Sequence, residues 1–217
     1  PVSGRMYFSE KNAIKIDRIR STIEYWKDNE LITEDEYFYL LSALLEAIPF
    51  ISNTAGTYGA YLKHWDPRSL KPLVMKEPVI VKSSGSIRVY NENTNALVRN
   101  IEVDLAYYDP PYNTRQYLPN YHILETVARW DSPQLTGKTG LRKYGEEKSD
   151  YCNKSKVSFA LDDLIKNTIS KYILLSYNTE GLLTEEEIRE ILLRYGKKKT
   201  LKVNKVQYKR YKNSQTR

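Results

Sequence analysis

Cysteine and histidine are almost absent from this chain of 217 residues, which has one Cys and two His. The single thiol, Cys152, has no partner for an internal disulfide, so a disulfide-stapled fold is excluded. His64 and His122 lie at no spacing typical of zinc ligands, so a zinc enzyme is excluded as well. We predict that Cys152 is a structural or incidental thiol and that His122, which lies in YHILETVARW, has a helix-packing role.

Long apolar runs are missing too. No segment approaches the roughly 18 apolar residues that span a bilayer, and the N-terminal PVSGRMYFSE lacks the apolar core of a signal peptide. We therefore expect a cytoplasmic protein. A hydrophobic content of 41% and a charged content of 28% favour a packed core over disorder. The length allows one domain or two small ones.

Acidic residues are absent from positions 197–217, which carry nine Lys or Arg. Subtracting these nine from the overall charge of +7 leaves −2 for the other 196 residues. Tyr208 and Tyr211 alternate with the cations, as in surfaces that bind phosphates and stack on bases. An edge hairpin protected by lysine is the alternative, because Leu201, Val203, Val206 and Tyr208 also suit a strand pair, and composition does not decide between the two.

The N-terminal third has helical periodicity. Ile16, Ile19, Ile23 and Trp26 recur at spacings of three and four, and TEDE at 33–36 is a capping box before a second helix. Pro49 should end that helix. A helix-like segment with two glycines follows, and the prolines of residues 66–78 predict a linker.

Beyond the linker, short apolar strands alternate with helices, which predicts an α/β fold with parallel strands. The expected elements are strands at 87–90, 104–109 and 171–178, helices at 121–130 and near 160–169, a loop rich in Gly and Lys at 132–156, and a last helix opened by the capping box TEEE at 184–187.

The segment at 104–109 ends directly in Asp109, Pro110, Pro111 and Tyr112, at the end of a strand where α/β sheets place their sites. Each proline fixes φ and removes an N–H, so the turn is stiff and rich in acceptors. Two acceptors beside an aromatic face suit an exocyclic amine of a nucleobase, held while the ring stacks on Tyr112. A duplex base must be flipped out to reach such a site. A simple tight turn is the alternative interpretation.

DPPY at 109–112 resembles motif IV of the amino-methyltransferases, and its continuation NTRQYLPNYHILETVARWD is similar to adenine-specific DNA methyltransferases of type II restriction-modification systems. YFSEKNAIKIDRIRSTIEYW, EYFYLLSALLEA, SNTAGTYGAYLKHW and YILLSYNTEGLL resemble segments of the same group. The resemblance implies methyl transfer from S-adenosylmethionine to N6 of adenine in double-stranded DNA. It also implies a partial Rossmann-like sheet, with a helical DNA-recognition insertion at 1–75, a catalytic portion at 76–196 and a basic hairpin or tail at 197–217.

The resemblance assigns roles to individual residues. Asp109, Pro110, Pro111 and Tyr112 match the catalytic motif, and Asp109 also lies near the cofactor in the family. VYNENTNALV at 89–98 resembles the strand that reaches the cofactor, with Asn93 where relatives commonly have Asp. The residues expected to contact DNA are Arg115, Gln116 and Tyr117 after the catalytic turn and, in the basic segment, Lys197, Lys198, Lys199, Lys209 and Arg210.

The cofactor loop of the family, FxGxG after the first strand, has no counterpart in this sequence. The chain therefore resembles the C-terminal two-thirds of such an enzyme. It is expected to be the catalytic-motif portion of a methyltransferase, inactive alone if a second polypeptide supplies the loop. The alternative is a non-catalytic DNA-binding or specificity subunit. Methylation of RNA or of a cytosine amine is a third hypothesis, because DPPY chemistry serves any exocyclic amine.

Overall fold

A computed structural model describes residues 4–143 and 148–207. The chain divides into two compact units, one built from the described residues of Pro1–Val89 and Arg115–Ser149 and the other from those of Tyr90–Thr114 and Asp150–Arg217. The helices are α1 (Glu10–Asp28), α2 (Glu34–Ala47), α3 (Thr94–Leu97), α4 (Tyr117–Arg129), α5 (Val157–Asn167) and α6 (Glu185–Tyr195). The strands are β1 (Glu102–Tyr108), β2 (Leu135–Thr136), β3 (Leu141–Arg142) and β4 (Ile169–Leu175).

The first unit is built on α1, α2 and α4. Ser9 caps α1, and the predicted capping box of Thr33 and Glu36 opens α2. Helix α2 ends at Ala47 and continues as a short 3₁₀ turn through Pro49, as the sequence predicts. The three helices share one apolar core, whose fully buried members include Leu44, Ile48 and Leu73.

A buried arginine ties the first unit together. The Arg20 side chain is fully buried and donates to the carbonyl oxygens of Val127 at 2.8 Å and Ala128 at 3.3 Å. It also pairs with Glu24 and donates to the Tyr37 hydroxyl at 2.9 Å. Hydrogen bonds to a buried charge offset its loss of water, so Arg20 connects α1 to the end of α4.

Two sequence-based predictions for residues 52–78 are wrong. The segment around Gly56 and Gly59 forms bends and turns instead of a helix, with Asn53 fully buried and bonded to the backbone at Leu62 and Asp66. The expected linker contains a 3₁₀ turn at Pro67–Leu70, and Ser69 and Leu73 are fully buried. The first half of this stretch is therefore packed into the unit, whereas most side chains at 74–92 are exposed.

The second unit contains the parallel pair β1–β4, with Glu102 opposite Ile169 and Tyr108 opposite Leu175. Helices α5 and α6 supply most of its apolar core. A mixed α/β fold with a small parallel sheet is thus confirmed. The prediction of a strand at 87–90 is wrong, because this segment pairs with no described strand. Its Ile87 and Val89 side chains are 76% and 89% exposed.

The basic C-terminal segment has little regular structure in its described part. Lys198–Thr200 form a 3₁₀ turn after α6, and residues 201–207 form no strand. Tyr208, Tyr211 and the rest of 208–217 lie outside the described residues, so the choice between hairpin and tail stays open. Among described residues, no helix is long and apolar enough to cross a membrane.

Candidate active site

The Asp-Pro-Pro-Tyr turn follows directly from the carboxyl end of β1. The carbonyl oxygen of Tyr108, the last strand residue, accepts a hydrogen bond from the Ser176 amide at 2.9 Å. The Tyr108 hydroxyl is 2.7 Å from Thr168 Oγ1 at the start of β4. These contacts fix the strand up to the residue before Asp109, so the turn begins from a defined position.

A second loop, residues 176–183, follows β4 at the same edge of the sheet. The Leu182 amide donates to the Tyr112 carbonyl oxygen at 2.8 Å, which fixes the far end of the Asp-Pro-Pro-Tyr turn. Two bonds to Asn178 shape the loop, from the Glu180 amide to Oδ1 at 2.8 Å and from the Gly181 amide to the carbonyl oxygen at 2.9 Å. Residues that follow β4 therefore bond to Tyr108, just before the Asp-Pro-Pro-Tyr turn, and to Tyr112 at its end.

Glycine is required at position 181. A Cβ on Gly181 would lie 2.3 Å from Tyr177 Cε1 and 2.8 Å from the Asn178 carbonyl oxygen. The Tyr177 ring packs on the apolar core of the second unit, and its hydroxyl accepts from the Leu183 amide at 3.3 Å. Burial raises the pKa of Tyr177, so the hydroxyl stays neutral.

The polar groups of the Asp-Pro-Pro-Tyr turn face solvent. Asp109 is exposed, Pro110 and Pro111 are half-buried, and Tyr112 is 38% exposed. Within the described part of the chain, the Asp109 carboxylate has neither an ion pair nor a hydrogen-bond donor. The turn can therefore offer carboxylate and carbonyl acceptors to a ligand, next to an accessible aromatic ring.

The Asn93 side chain caps the helix that follows it in the sequence. It is the N-cap of α3, and its Oδ1 accepts from the amides of Asn95 at 2.9 Å and Ala96 at 3.3 Å. Helix α3 is tied to α5 by Asn95, whose Nδ2 donates to the Ala160 carbonyl and to Asp163, each at 2.9 Å. The oxygen predicted to accept from a cofactor is thus occupied by a capping interaction.

The three residues predicted to contact DNA after the turn belong to the first unit. Arg115 is exposed. Gln116 bonds both ways to the backbone of Ser149, with Oε1 accepting at 2.9 Å and Nε2 donating at 3.2 Å. Tyr117 is 53% exposed and stacks on Tyr121, with ring centroids 5.8 Å apart. Arg115 and Tyr117 are thus accessible, whereas Gln116 has a structural use.

His122 and Cys152 are both buried, as the structural roles predicted from the sequence require. His122 is 2% exposed, and its Nε2 is 2.9 Å from the Tyr58 carbonyl oxygen. Cys152 is buried, and burial raises the pKa of its thiol, which disfavours the reactive thiolate. No group of His, Cys, Asp and Glu able to hold a metal ion occurs in the described ranges.

Residues 3–191 match the family model described as D12 class N6 adenine-specific DNA methyltransferase. The match covers most of the chain, including the Asp-Pro-Pro-Tyr turn and the loop after β4. The chain belongs to this D12 class. The predicted family resemblance is therefore confirmed.

Curated relatives of the chain are named as type II methyltransferases or as modification methylases. The chain is 50% identical over 209 residues to the type II methyltransferase M.FokI of Planomicrobium okeanokoites, and 48% identical over 211 residues to the modification methylase StsI of Streptococcus sanguinis. These alignments cover 96% and 97% of the chain but 32% of each relative. The type II methyltransferase M.NlaIII of Neisseria lactamica is 43% identical over 214 residues, which are 99% of the chain and 63% of that protein. No solved structure matches the chain.

The loop after β4 is the part of this D12 site that residue-by-residue reasoning missed. The stretch YILLSYNTEGLL was predicted to contain most of the strand at 171–178 and to resemble the family, but no role was predicted for the residues after the strand. A signal was available, because parallel strands end at the same edge of a sheet and the residues following each strand meet there. Ser176 stands in the same relation to β4 as Asp109 does to β1, and Asn178 follows two residues later.

The basic residues predicted to bind DNA are only partly described. Lys197, Lys198 and Lys199 are exposed and follow directly on α6. Lys205, further along, pairs with Glu185 at 2.7 Å, which places this part of the segment beside the start of α6. Lys209 and Arg210 lie outside the described residues.

Proposed function

We propose that the protein transfers a methyl group from S-adenosylmethionine to N6 of adenine in double-stranded DNA. The observation that carries this proposal is the exposed Asp-Pro-Pro-Tyr turn, whose preceding residue Tyr108 and last residue Tyr112 bond to residues that follow β4, in a chain of the D12 class. Because the chain spans about a third of M.FokI and StsI, their activity is applied to it here as a proposal.

The amine of adenine is a poor nucleophile because its lone pair is delocalised into the ring. In the proposed mechanism, the Asp109 carboxylate and the Pro110 carbonyl accept the two amine hydrogens and draw the nitrogen toward tetrahedral geometry. These acceptors are preorganised, since the two prolines stiffen the turn and hydrogen bonds hold Tyr108 before it and Tyr112 at its end. The Asp109 carboxylate also attracts the proton that the nitrogen must release.

Tyr112 supplies the aromatic face for the target base. Its ring is 38% exposed, and its backbone is held by the bond from Leu182. An adenine flipped from the duplex loses stacking worth a few kcal/mol, which stacking on Tyr112 partly restores. The side chain thus holds the ring of adenine while Asp109 and Pro110 engage its amine.

S-adenosylmethionine, when bound, supplies the electrophilic methyl group. The Asp109 carboxylate fits a ligand with ammonium, hydroxyl or amino donors, because it has no donor among residues 4–143 and 148–207. Asn93 fits less well, because its Oδ1 already accepts from two backbone amides. Of these two side chains, Asp109 is therefore the one we assign to the cofactor.

Substitutions at Asp109 and Tyr112 test the proposed mechanism in single-turnover assays with duplex DNA. Asp109→Ala should lower methyl transfer a hundredfold or more, on the order of the 2.7 to 4 kcal/mol that a preorganised polar group supplies. DNA affinity should change much less. Tyr112→Phe should be milder than Tyr112→Ala, because the ring face does the stacking. Methyl transfer by Asp109→Ala within a few-fold of wild type removes this carboxylate from the mechanism.

A second candidate function rests on the absence of FxGxG from these 217 residues. In this alternative the chain binds DNA without catalysing methylation, or it methylates only with a second polypeptide that carries the cofactor loop. Titration of the purified chain with S-adenosylmethionine separates the possibilities. Micromolar affinity supports the catalytic function, whereas millimolar affinity that becomes micromolar on adding a polypeptide with the loop supports the shared site.

The proposed DNA contacts divide into two kinds. Arg115 and Tyr117 are exposed and are proposed to act around the flipped nucleotide. The basic segment that begins at Lys197 is proposed to bind phosphates, a contribution that is independent of sequence and sensitive to salt.

A further inference from the structure

The hairpin β2–β3 in the first unit has a four-residue turn, Gly137–Gly140, that carries one lysine at its tip. Gly137 and Gly140 have φ of +67° and +71°, and the Gly140 amide donates to the Gly137 carbonyl at 3.3 Å. Lys138 is exposed, whereas Gly140 is buried. The two glycines permit a tight turn that directs Lys138 to solvent.

The base of the hairpin is anchored to α4 and the residues after it. Arg142, which is 9% exposed, makes a bidentate pair with Asp131, with Nη1 at 2.8 Å from Oδ1. The same nitrogen donates to Thr126 Oγ1 at 3.3 Å. The guanidinium of Arg142 lowers the pKa of Asp131, so this pair stays ionised.

The tip of the hairpin is anchored by its carbonyl oxygens. Arg5 donates from Nε to the Lys138 carbonyl at 3.2 Å and from Nη2 to the Gly137 carbonyl at 3.4 Å. The Tyr7 hydroxyl lies 3.1 Å from the Thr139 carbonyl. Three successive carbonyl oxygens of the turn thus face side-chain donors.

The turn also carries hydrogen-bond donors. In the described part of the chain, the amides of Lys138 and Thr139 have no acceptor, and the Lys138 ammonium has no ion pair. Residues 132–143 contain no acid, and the Arg5 guanidinium adds positive charge at the turn. Successive amides combined with a cation are the chemistry that binds an oxyanion.

From this arrangement we infer that the Gly137–Gly140 turn binds a phosphate of the DNA backbone, with Lys138 and the amides of Lys138 and Thr139 as the contacting groups. The inference rests on the proposed function for the identity of the anion, since a free phosphate has the same chemistry. Arg5, Tyr7 and Arg142 act as positioning residues. A turn held at tip and base gives up little conformational entropy on binding.

Fluorescence anisotropy with duplexes of several sequences tests the inference. Lys138→Ala should weaken binding to all duplexes and lower the slope of log affinity against log salt by about 0.9. The ratio of the DNA affinity of the wild type to that of Lys138→Ala should therefore fall about 3.5-fold between 50 and 200 mM salt. Lys138→Arg should restore most of the affinity, because it retains the charge.

The matched control is Lys11→Ala, which removes an exposed lysine from α1 in the same unit and should leave affinity and slope unchanged. A salt slope for Lys138→Ala equal to that of wild type, with DNA binding intact, overturns the inference and leaves the proposed function standing. Failure of the wild-type chain to bind DNA contradicts the proposed function instead. Inorganic phosphate, compared with chloride at equal ionic strength, should compete weakly; competition at micromolar phosphate would assign the turn to free phosphate.

Discussion

Substituting Ala for Gly181 tests how the loop after β4 supports the Asp-Pro-Pro-Tyr turn, which we propose to be catalytic. The added Cβ would lie 2.3 Å from Tyr177 Cε1, whereas carbon atoms in contact are about 3.5 to 4.0 Å apart. Moving the Tyr177 ring would cost free energy, because the ring packs on the core and its hydroxyl accepts from the Leu183 amide. The loop backbone must therefore move by more than about 1 Å.

The cost of this movement has two parts. Overpacking typically costs about 1 to 3 kcal/mol, and loss of the hydrogen bond from Leu182 to Tyr112 adds about 0.5 to 1.5 kcal/mol. Because Tyr112 and Asp109 belong to one rigid turn, the reacting groups shift together. A displacement of about 1 Å at a site can lower the rate a hundredfold, so we expect Gly181→Ala to lower methyl transfer between tenfold and a hundredfold.

Hydrogen–deuterium exchange reports the structural step directly. The Leu182 amide should be protected in the wild type and lose protection in Gly181→Ala, with a lower free energy of unfolding in urea. Gly85→Ala is the control, because the nearest atom to its added Cβ is Ser83 Oγ at 4.0 Å. Unchanged protection of Leu182 together with an unchanged methylation rate would refute the support that we assign to this loop.

Three further predictions concern other parts of the chain. Burial lowers the pKa of His122, so the unfolded chain, with an ordinary His pKa near 6.5, binds more protons below that pH. The free energy of unfolding should fall as the pH drops from about 6.5 toward the lowered pKa of His122. His122→Gln should remove this part of the pH dependence. An equal pH dependence of unfolding in urea for the wild type and the variant contradicts this prediction. Asn93→Ala should cost about 1 kcal/mol through loss of the α3 cap, and Asn93→Asp should keep the cap; equal urea midpoints for the two variants contradict the capping role. Deleting residues 197–217 should weaken binding to all DNA sequences and flatten the salt dependence measured by anisotropy; an unchanged slope with the fold intact favours the edge hairpin.

Local signals predicted the helices well. The capping boxes at 33–36 and 184–187 both form, because a cap is satisfied within one turn of its own helix. The start of α4 was placed too late, at Tyr121, whereas the helix begins at Tyr117. Proline is tolerated in the first turn, where its missing N–H has no helical partner, so Pro119 does not exclude those residues.

Strands were harder to predict because they depend on a partner elsewhere in the chain. The strands near 104–109 and 171–178 form, since β1 and β4 pair with each other in parallel. The apolar run at 87–90 has the same local character but no described strand beside it. Alternating hydrophobicity therefore identifies segments able to form strands, not segments that do so.

The candidate site was predictable where its chemistry is carried by consecutive residues. The Asp-Pro-Pro-Tyr turn is such a case, and it lies at the end of β1 as expected. The bond from Leu182 to Tyr112 and the contact of Gly181 with Tyr177 depend on how the loop after β4 packs. No spacing in the sequence indicates them.

The central claim is that the protein methylates adenine in DNA through Asp109. The most direct test is mass spectrometry of nucleosides from unmethylated genomic DNA, after incubation with the protein and S-adenosylmethionine that carries a deuterated methyl group. A millimolar concentration of the methyl donor keeps the test valid even if the chain binds the donor at only millimolar affinity. The account predicts deuterated N6-methyladenine with the wild type and background levels with Asp109→Ala. Label found only in cytosine, or equal N6-methyladenine from both proteins, would contradict it.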